Sequence, residues 1–281
     1  LILFLLVFQF THLKAEVKPT FVRSADTTNV NQAIGVTLTP DGTRIHFSQY
    51  GTSPVITQYD LSIPFNVSSI DTTSRVTLNV NSGDSDDLVS NRVEGHTFNS
   101  DGTKLYAIDM AGNMNVHSLS TPYDISNFSK DADDGVDWAT FAAGEGGSDS
   151  ARRSHGIRFN NDGTKMFLMD INGTVGIAEF NLSTPFLPGS ASFGNFFAIT
   201  ENSKTLQDFD FDDDGTRMYV IESNATSTNN KIYVYKLSTG FDTSTATFVG
   251  SVVNVFSAAG ADGSAGGMRF AQNGRKVYQV T

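Results

Sequence analysis

An all-β fold, a β-propeller of four-stranded blades, is what this sequence predicts, and three observations carry the prediction. One phrase occurs five times, as VTLTPDGTRIHF, HTFNSDGTKLYA, IRFNNDGTKMFL, FDFDDDGTRMYV and MRFAQNGRKVYQ, with its turn glycine at Gly42, Gly102, Gly163, Gly215 and Gly274. A second phrase follows the first four copies, as YDLSIPFN, HSLSTPYD, FNLSTPFL and YKLSTGFD. No stretch of useful length shows the 3.6-residue apolar period of an amphipathic helix. Self-similarity at this long period marks a repeat architecture, and units of four strands are too long for an ordinary solenoid, the rival arrangement.

Within each unit the strands follow from local chemistry. Apolar residues alternate before the turn, as at Ile157 and Phe159, which marks the first strand, a. Asp-Gly or Asn-Gly supplies the positive-φ turn that a hairpin needs, and an apolar second strand, b, follows. The second phrase closes a third strand, c (VITQ, NMNV, GIAE, IYVY); in three copies a proline, lacking a ladder donor, ends it. A fourth, d, is read in RVTLNV, DWATFAA, ASFGNFFAI and ATFVGSVVNV, which puts the only tryptophan, Trp138, on a strand d.

Composition limits the function. Apolar residues make up 39% of the chain and include 22 Phe, enough for a core, whereas only 17% are charged, against a disordered chain. A net charge of −11 with no basic cluster argues against nucleic acid and against an anionic membrane surface. The absence of cysteine excludes disulfides, thiolate zinc sites and a cysteine nucleophile. No G-x-S-x-G elbow or H-E-x-x-H motif is present.

The phrase F-x-x-D-G-T-K-x-[YF], followed by an acid and later by L-S-T-P, resembles the YVTN-type and WD-repeat-like propellers of secreted microbial proteins. The resemblance covers essentially all of Lys18 to Thr281 and implies the propeller fold. The Trp-Asp dipeptide of WD repeats is absent.

The ends are read as follows. Residues 1–10, LILFLLVFQF, are too short as a helix to cross a bilayer and are followed by polar residues, so residues 1–15 are read as a signal peptide cleaved after Ala15. A buried strand at the amino end is the other reading. Residues 16–281 form the propeller domain. Thr20-Phe21-Val22-Arg23 resembles a strand d that would join the last blade. The fifth unit, however, ends at Thr281 after its strand b, with no strand c, so a fragment of a five- to seven-bladed propeller is expected, the rival being a five-blade ring whose final sheet has only three strands.

Ligands of such a fold are expected at the channel mouth formed by the loops from strand d to the next strand a, which are rich in charge and glycine. Glu94, His155 and Asp208 fall there, with Arg92 and Arg153 beside them; they are the candidate polar-ligand site, and Asp208, Glu94 and His155 a candidate ligand set for Ca2+ or Zn2+. Asp210-x-Asp212-x-Asp214-Gly215 mimics the start of a calcium loop, but Asp214-Gly215 is the repeated turn. Asp210 aligns with Arg158 and Arg269, and an ion network between blades is expected. Asp109, Asp170 and Glu222 align after strand b and are expected to bond the b–c turn. Together these readings favour an exported, non-catalytic propeller, periplasmic, cell-surface or extracellular. It would bind a protein, glycan or small polar ligand, with no membrane insertion after signal cleavage. The alternative is a metal-assisted hydrolase or lactonase using Glu94, His155 and Asp208.

Overall fold

The computed structural model describes residues 6–9, 20–23, 33–49, 54–81, 92–109, 113–131, 154–171, 174–201, 205–223, 230–253, 266–272 and 274–280. The first strands are β1 (Leu6–Gln9) and β2 (Thr20–Arg23). Blade one follows as β3 (Ala33–Leu38), β4 (Arg44–Gln49), β5 (Val55–Leu61) and β6 (Ile70–Asn79). Blade two comprises β7 (Gly95–Phe98), β8 (Lys104–Ile108), β9 (Met114–Thr121) and β10 (Asp124–Lys130); blade three, β11 (Ser154–Phe159), β12 (Lys165–Asp170), β13 (Gly176–Leu182) and β14 (Ala191–Ala198). Blade four is β15 (Thr205–Phe211), β16 (Arg217–Ser223), β17 (Lys231–Leu237) and β18 (Ala246–Val253), and the chain ends with β19 (Met268–Ala271) and β20 (Lys276–Gln279).

These strands form five antiparallel four-stranded sheets, each ordered from the inside outward, and the fifth is β19-β20-β1-β2. The inner strands touch in the cycle β3, β7, β11, β15, β19 and back to β3, so the blades form a ring. The fifth unit, expected to lack a strand c, receives it from the amino end. Leu6 pairs with Gln279 and Gln9 with Lys276, while Phe8 pairs with Phe21 of β2 on the other side. Thus β1 lies inside the run read as a signal-peptide core, where the other reading placed a strand, and β2 occupies the outer position its likeness to a strand d implied.

Blade two departs from the expected pattern. Its outer strand is β10, whereas 137–143, read as strand d, lie outside the described residues, Trp138 among them. In blades one, three and four a single 3-10 turn separates strands c and d, at Val67–Ser69, Pro188–Ser190 and Thr243–Thr245. Blade two has no such turn, and Thr121 pairs directly with Asp124.

The two repeated phrases interlock. Each turn glycine of blades one to four has φ between 69° and 73°, and its carbonyl accepts the N–H of an aromatic residue in the second phrase. Those partners are Phe65, Tyr123, Phe186 and Phe241, themselves in left-handed backbone with φ of 57–60°. Each ring lies over its glycine where a Cβ would stand, so only glycine fits there. The turn aspartates Asp41, Asp101, Asp162 and Asp214 accept the N–H and hydroxyl of the threonine two residues on, which explains D-G-T as a unit.

The same corner residues latch neighbouring blades. His46 lies 3.1 Å from the carbonyl of Tyr123, Tyr106 donates to that of Phe186 at 2.6 Å, and Tyr278 donates to that of Phe65 at 3.0 Å. These side chains hold equivalent positions on strand b, and the last bond fastens blade five to blade one. In blade three the equivalent residue is Phe167, which has no donor; Lys165 Nζ reaches Phe241 O instead, at 2.9 Å. Phe47, Tyr59, Phe167, Phe180, Phe209 and Tyr235 are among the largest fully buried side chains, so the core lies between the blade faces.

Candidate functional site

The inner strands come closest near their loop-bearing ends. A Cβ on Gly95 would stand 2.9 Å from the backbone of Gly156 on the next blade, and one on Gly267 would stand 2.6 Å from Gly35 Cα. These four glycines occupy one position of the repeat; the fifth residue there is Asp208. Its carboxylate lies where a Gly156 Cβ would be. Gly156, with φ of 75°, is an extra residue in β11 between the pairs His155–Met169 and Ile157–Leu168. Bulges of this kind redirect the side chains beside them. β3 and β15 carry the same irregularity, at Ile34 and Gln207.

Asp208 and the inter-blade charges form one cluster, buried except for the part-exposed Arg269. Arg158 Nη2 is 3.0 Å from Asp208 Oδ2 and its Nε is 2.9 Å from Asp210 Oδ1. Arg269 Nη1 reaches the same Asp210 oxygen at 3.1 Å. Asp208 Oδ2 also accepts the N–H of Met268 at 2.8 Å, and Asp210 Oδ2 that of Phe270 at 2.6 Å. Arg158 further donates to Met268 O at 2.8 Å, so a side chain of blade three bonds the backbone of blade five, past blade four. Two cations and two anions balance, which suits charges held away from water. Burial alone would lower the pKa of Arg158, but Asp208 and Asp210 outweigh it and hold it above the usual value. Burial pushes Asp208 above the carboxylate range, against the pull of Arg158.

Glu94 and His155 meet on the loop side of this cluster. His155 Nε2 lies 3.6 Å from Glu94 Oε2, and Arg92 Nε lies 2.5 Å from Glu94 Oε1. Glu94 and His155 are both buried. Burial pushes the Glu94 carboxyl up to about 7; Arg92 pulls it down and Asp109 adds to the rise. Asp109 holds the b–c turn by accepting the N–H of Asn113 at 2.9 Å, and Glu222 accepts the Tyr233 hydroxyl. Arg153 lies outside the described residues.

The proposed ligand set of Asp208, Glu94 and His155 does not suit a metal. The Asp208 oxygens are engaged by Arg158, Met268 N–H and Phe209 N–H, and among the described residues no group of three His, Asp or Glu could hold an ion. The calcium-loop pattern separates likewise. Asp210 belongs to the ion cluster, whereas Asp212 and Asp214 accept the N–H groups of Arg217 and Thr216 at 2.9 and 3.0 Å.

No protein-family model matches the chain, and no curated protein matches it. Among solved structures, it is similar to a protein of Bacteroides uniformis assigned as a 6-phosphogluconolactonase, with TM-score 0.50 and 12% identity over 99% of this chain and 75% of the other. It is also similar to the periplasmic gluconolactonase of Pseudomonas aeruginosa, with TM-score 0.49 and 14% identity over 98% and 75%. A third similarity is to Chaetomium thermophilum Sqt1, with TM-score 0.47 and 12% identity over 93% and 58%. At these identities the likeness establishes the propeller fold. The expectation of a non-catalytic binding propeller is corrected: a protein assigned as a 6-phosphogluconolactonase is among the structures that share this fold, and Glu94 and His155, expected at the channel mouth, are buried against each other with Arg92 half-buried beside them. Among the described residues, no helix is long and apolar enough to cross a membrane.

Proposed function

We propose that this propeller is a hydrolase of the lactonase type, working at the loop-bearing end of its channel with Glu94 as the general base. The observation that supports it is the Glu94 carboxyl raised to about 7 between Arg92 and His155. A carboxylate with that pKa is substantially ionised at neutral pH yet basic enough to take a proton from water. The resulting hydroxide adds to the lactone carbonyl carbon. The Arg92 guanidinium meets the charge that develops on the carbonyl oxygen. The ring C–O bond then breaks, and the ring oxygen leaves as an alcohol with the proton carried by Glu94. His155 positions the second Glu94 oxygen. Asp208, committed to Arg158, takes no part, and no metal is needed for these steps. We further infer that the repeat belongs with the YVTN-type and WD-repeat-like propellers, on the strength of its turn phrase, and that the protein acts outside the cytoplasm, as the periplasmic gluconolactonase does by its name.

The test is acid release from glucono-δ-lactone, followed in a pH-stat with and without chelator. The expected result is chelator-insensitive turnover that falls at least ~100-fold in Glu94→Gln. No turnover by the wild type, or equal turnover by the variant, overturns the assignment.

A further inference from the structure

At the opposite end of the channel, where the a–b hairpins turn, lies a cavity of about 610 Å3, within the range of about 300–1,000 Å3 of small-molecule sites. The ion cluster closes its inner end: Arg158 spans from blade three to the Met268 carbonyl, and Arg269, which lines the cavity, bonds Asp210. The two ends of the channel are therefore separate sites.

The walls of this cavity differ. One is aromatic and fixed: Phe98 packs edge-on against Tyr123 at 5.3 Å, and Phe159 against Phe186 at 5.4 Å. The other carries polar groups that the fold leaves open. Arg269 spends Nη1 on Asp210 and is part-exposed. The Asp213 carboxylate and the Gln272 side-chain amide have no hydrogen bond among the described residues; Asp213 uses only its backbone carbonyl, on Asn161. By contrast, the neighbouring amides of Asn99 and Asn160 are consumed by their own turns. Gln272 is held at φ of 55°, a conformation costly for a residue with a side chain, and it sits on the lining of the cavity.

We propose that this cavity binds a neutral polyhydroxylated ring, such as a pyranose sugar. The C–H face of the ring would lie on the Phe98–Tyr123 and Phe159–Phe186 pairs, and its hydroxyls would bond Asp213, Gln272 and the remaining Arg269 donors. Arg269 is already balanced by Asp210, so the cavity offers no free cation for a phosphate, and the single open anion, Asp213, is too little for a polycation. A ligand with apolar faces and a hydroxylated edge matches both walls.

Hexose binding to the intact protein is measured by calorimetry and saturation-transfer NMR, with glucose, galactose and mannose as probes. At least one binds with Kd of about 1–10 mM, as few heavy atoms and part-exposed contacts allow. Saturating the aromatic protons labels the axial C–H protons of the sugar. Asp213→Asn and Gln272→Ala, both at turn positions, each weaken binding at least fivefold with unchanged melting and unchanged glucono-δ-lactone turnover. The proposal is overturned if no hexose binds, if both variants bind as the wild type does, or if a zwitterionic amino acid binds and hexoses do not.

Discussion

Replacing Arg158 by methionine removes the cation that holds two carboxylates between three blades. The side chain makes four bonds, at 2.9 Å to Asp210, 3.0 Å to Asp208, 2.8 Å to Ile157 O and 2.8 Å to Met268 O. Arg158, Asp208 and Asp210 are all at most 4% exposed, so water cannot replace the missing partner. Removing one member of such a buried group costs about 3–5 kcal/mol, because the remaining charges keep their desolvation penalty. For a chain of this size that lowers the melting midpoint by about 6–20 °C. The loss depends on pH. Burial already raises the folded pKa of Asp208 above its unfolded value. In the variant, without the guanidinium, it rises further. A group of this kind favours the fold when protonated, and its contribution fades as pH climbs through the folded pKa. The variant should therefore approach the wild type near pH 4 and diverge toward pH 8. Calorimetric melts of both proteins across this interval decide the matter. A loss under about 1 kcal/mol, or one equal at both ends of the interval, would refute the view that the cluster holds the blades together.

Three further outcomes follow from the same geometry. Glu94, with its folded pKa raised to about 7, contributes stability that is complete below the unfolded carboxylate pKa and lost as pH rises through about 7. Glu94→Gln should flatten the pH dependence of melting between those values, and a curve unchanged in shape would contradict the assignment. Tyr106→Phe removes the 2.6 Å bond to Phe186 O and should cost about 1 kcal/mol in urea unfolding with the m-value unchanged; no loss would show that the latch contributes nothing. Removing residues 1–15 takes away β1, leaves β20 with an unpaired edge and detaches β2. That form should melt lower and associate in light scattering, and a monomer as stable as the longer chain would count against the pairing of β1 with β20.

Much of this architecture is legible because each unit is punctuated by residues with one physical use. Gly42, Gly102, Gly163 and Gly215 each need positive φ and room for an aromatic ring, and the prolines at the ends of β5, β9 and β13 stop a ladder. Aligning the units on those glycines and on Gly274 puts Arg158, Asp210 and Arg269 at one level, and in the structure Asp210 lies within 3.1 Å of both arginines. The amino end was less legible. A continuous apolar run such as LILFLLVFQF satisfies both an export signal and a strand covered on two sides, and hydropathy alone does not separate them. Strand β10 comes earlier in its unit than the outer strands of its neighbours, because blade two dispenses with their 3-10 turn and pairs Thr121 directly with Asp124.

The part of the site that sequence reasoning misplaces is Asp208, which stands one repeat position beyond Glu94 and His155. Comparing Ile34, Glu94, His155, Gln207 and Gly266 makes Asp208 an adjacent acid facing the mouth. The next column reads Gly35, Gly95, Gly156, Asp208 and Gly267. Four glycines at one level of five converging strands mean backbones packed too closely for a side chain, as at Gly95, where a Cβ would stand 2.9 Å from the Gly156 backbone. A carboxylate there must cross into the neighbouring blade and find a cation and N–H groups, and Arg158, Met268 and Phe209 supply them. Glu94 sits one position earlier, before the strands converge, where a single guanidinium and an imidazole surround it. That one-residue offset separates a carboxylate committed to the scaffold from one whose proton can move near neutral pH.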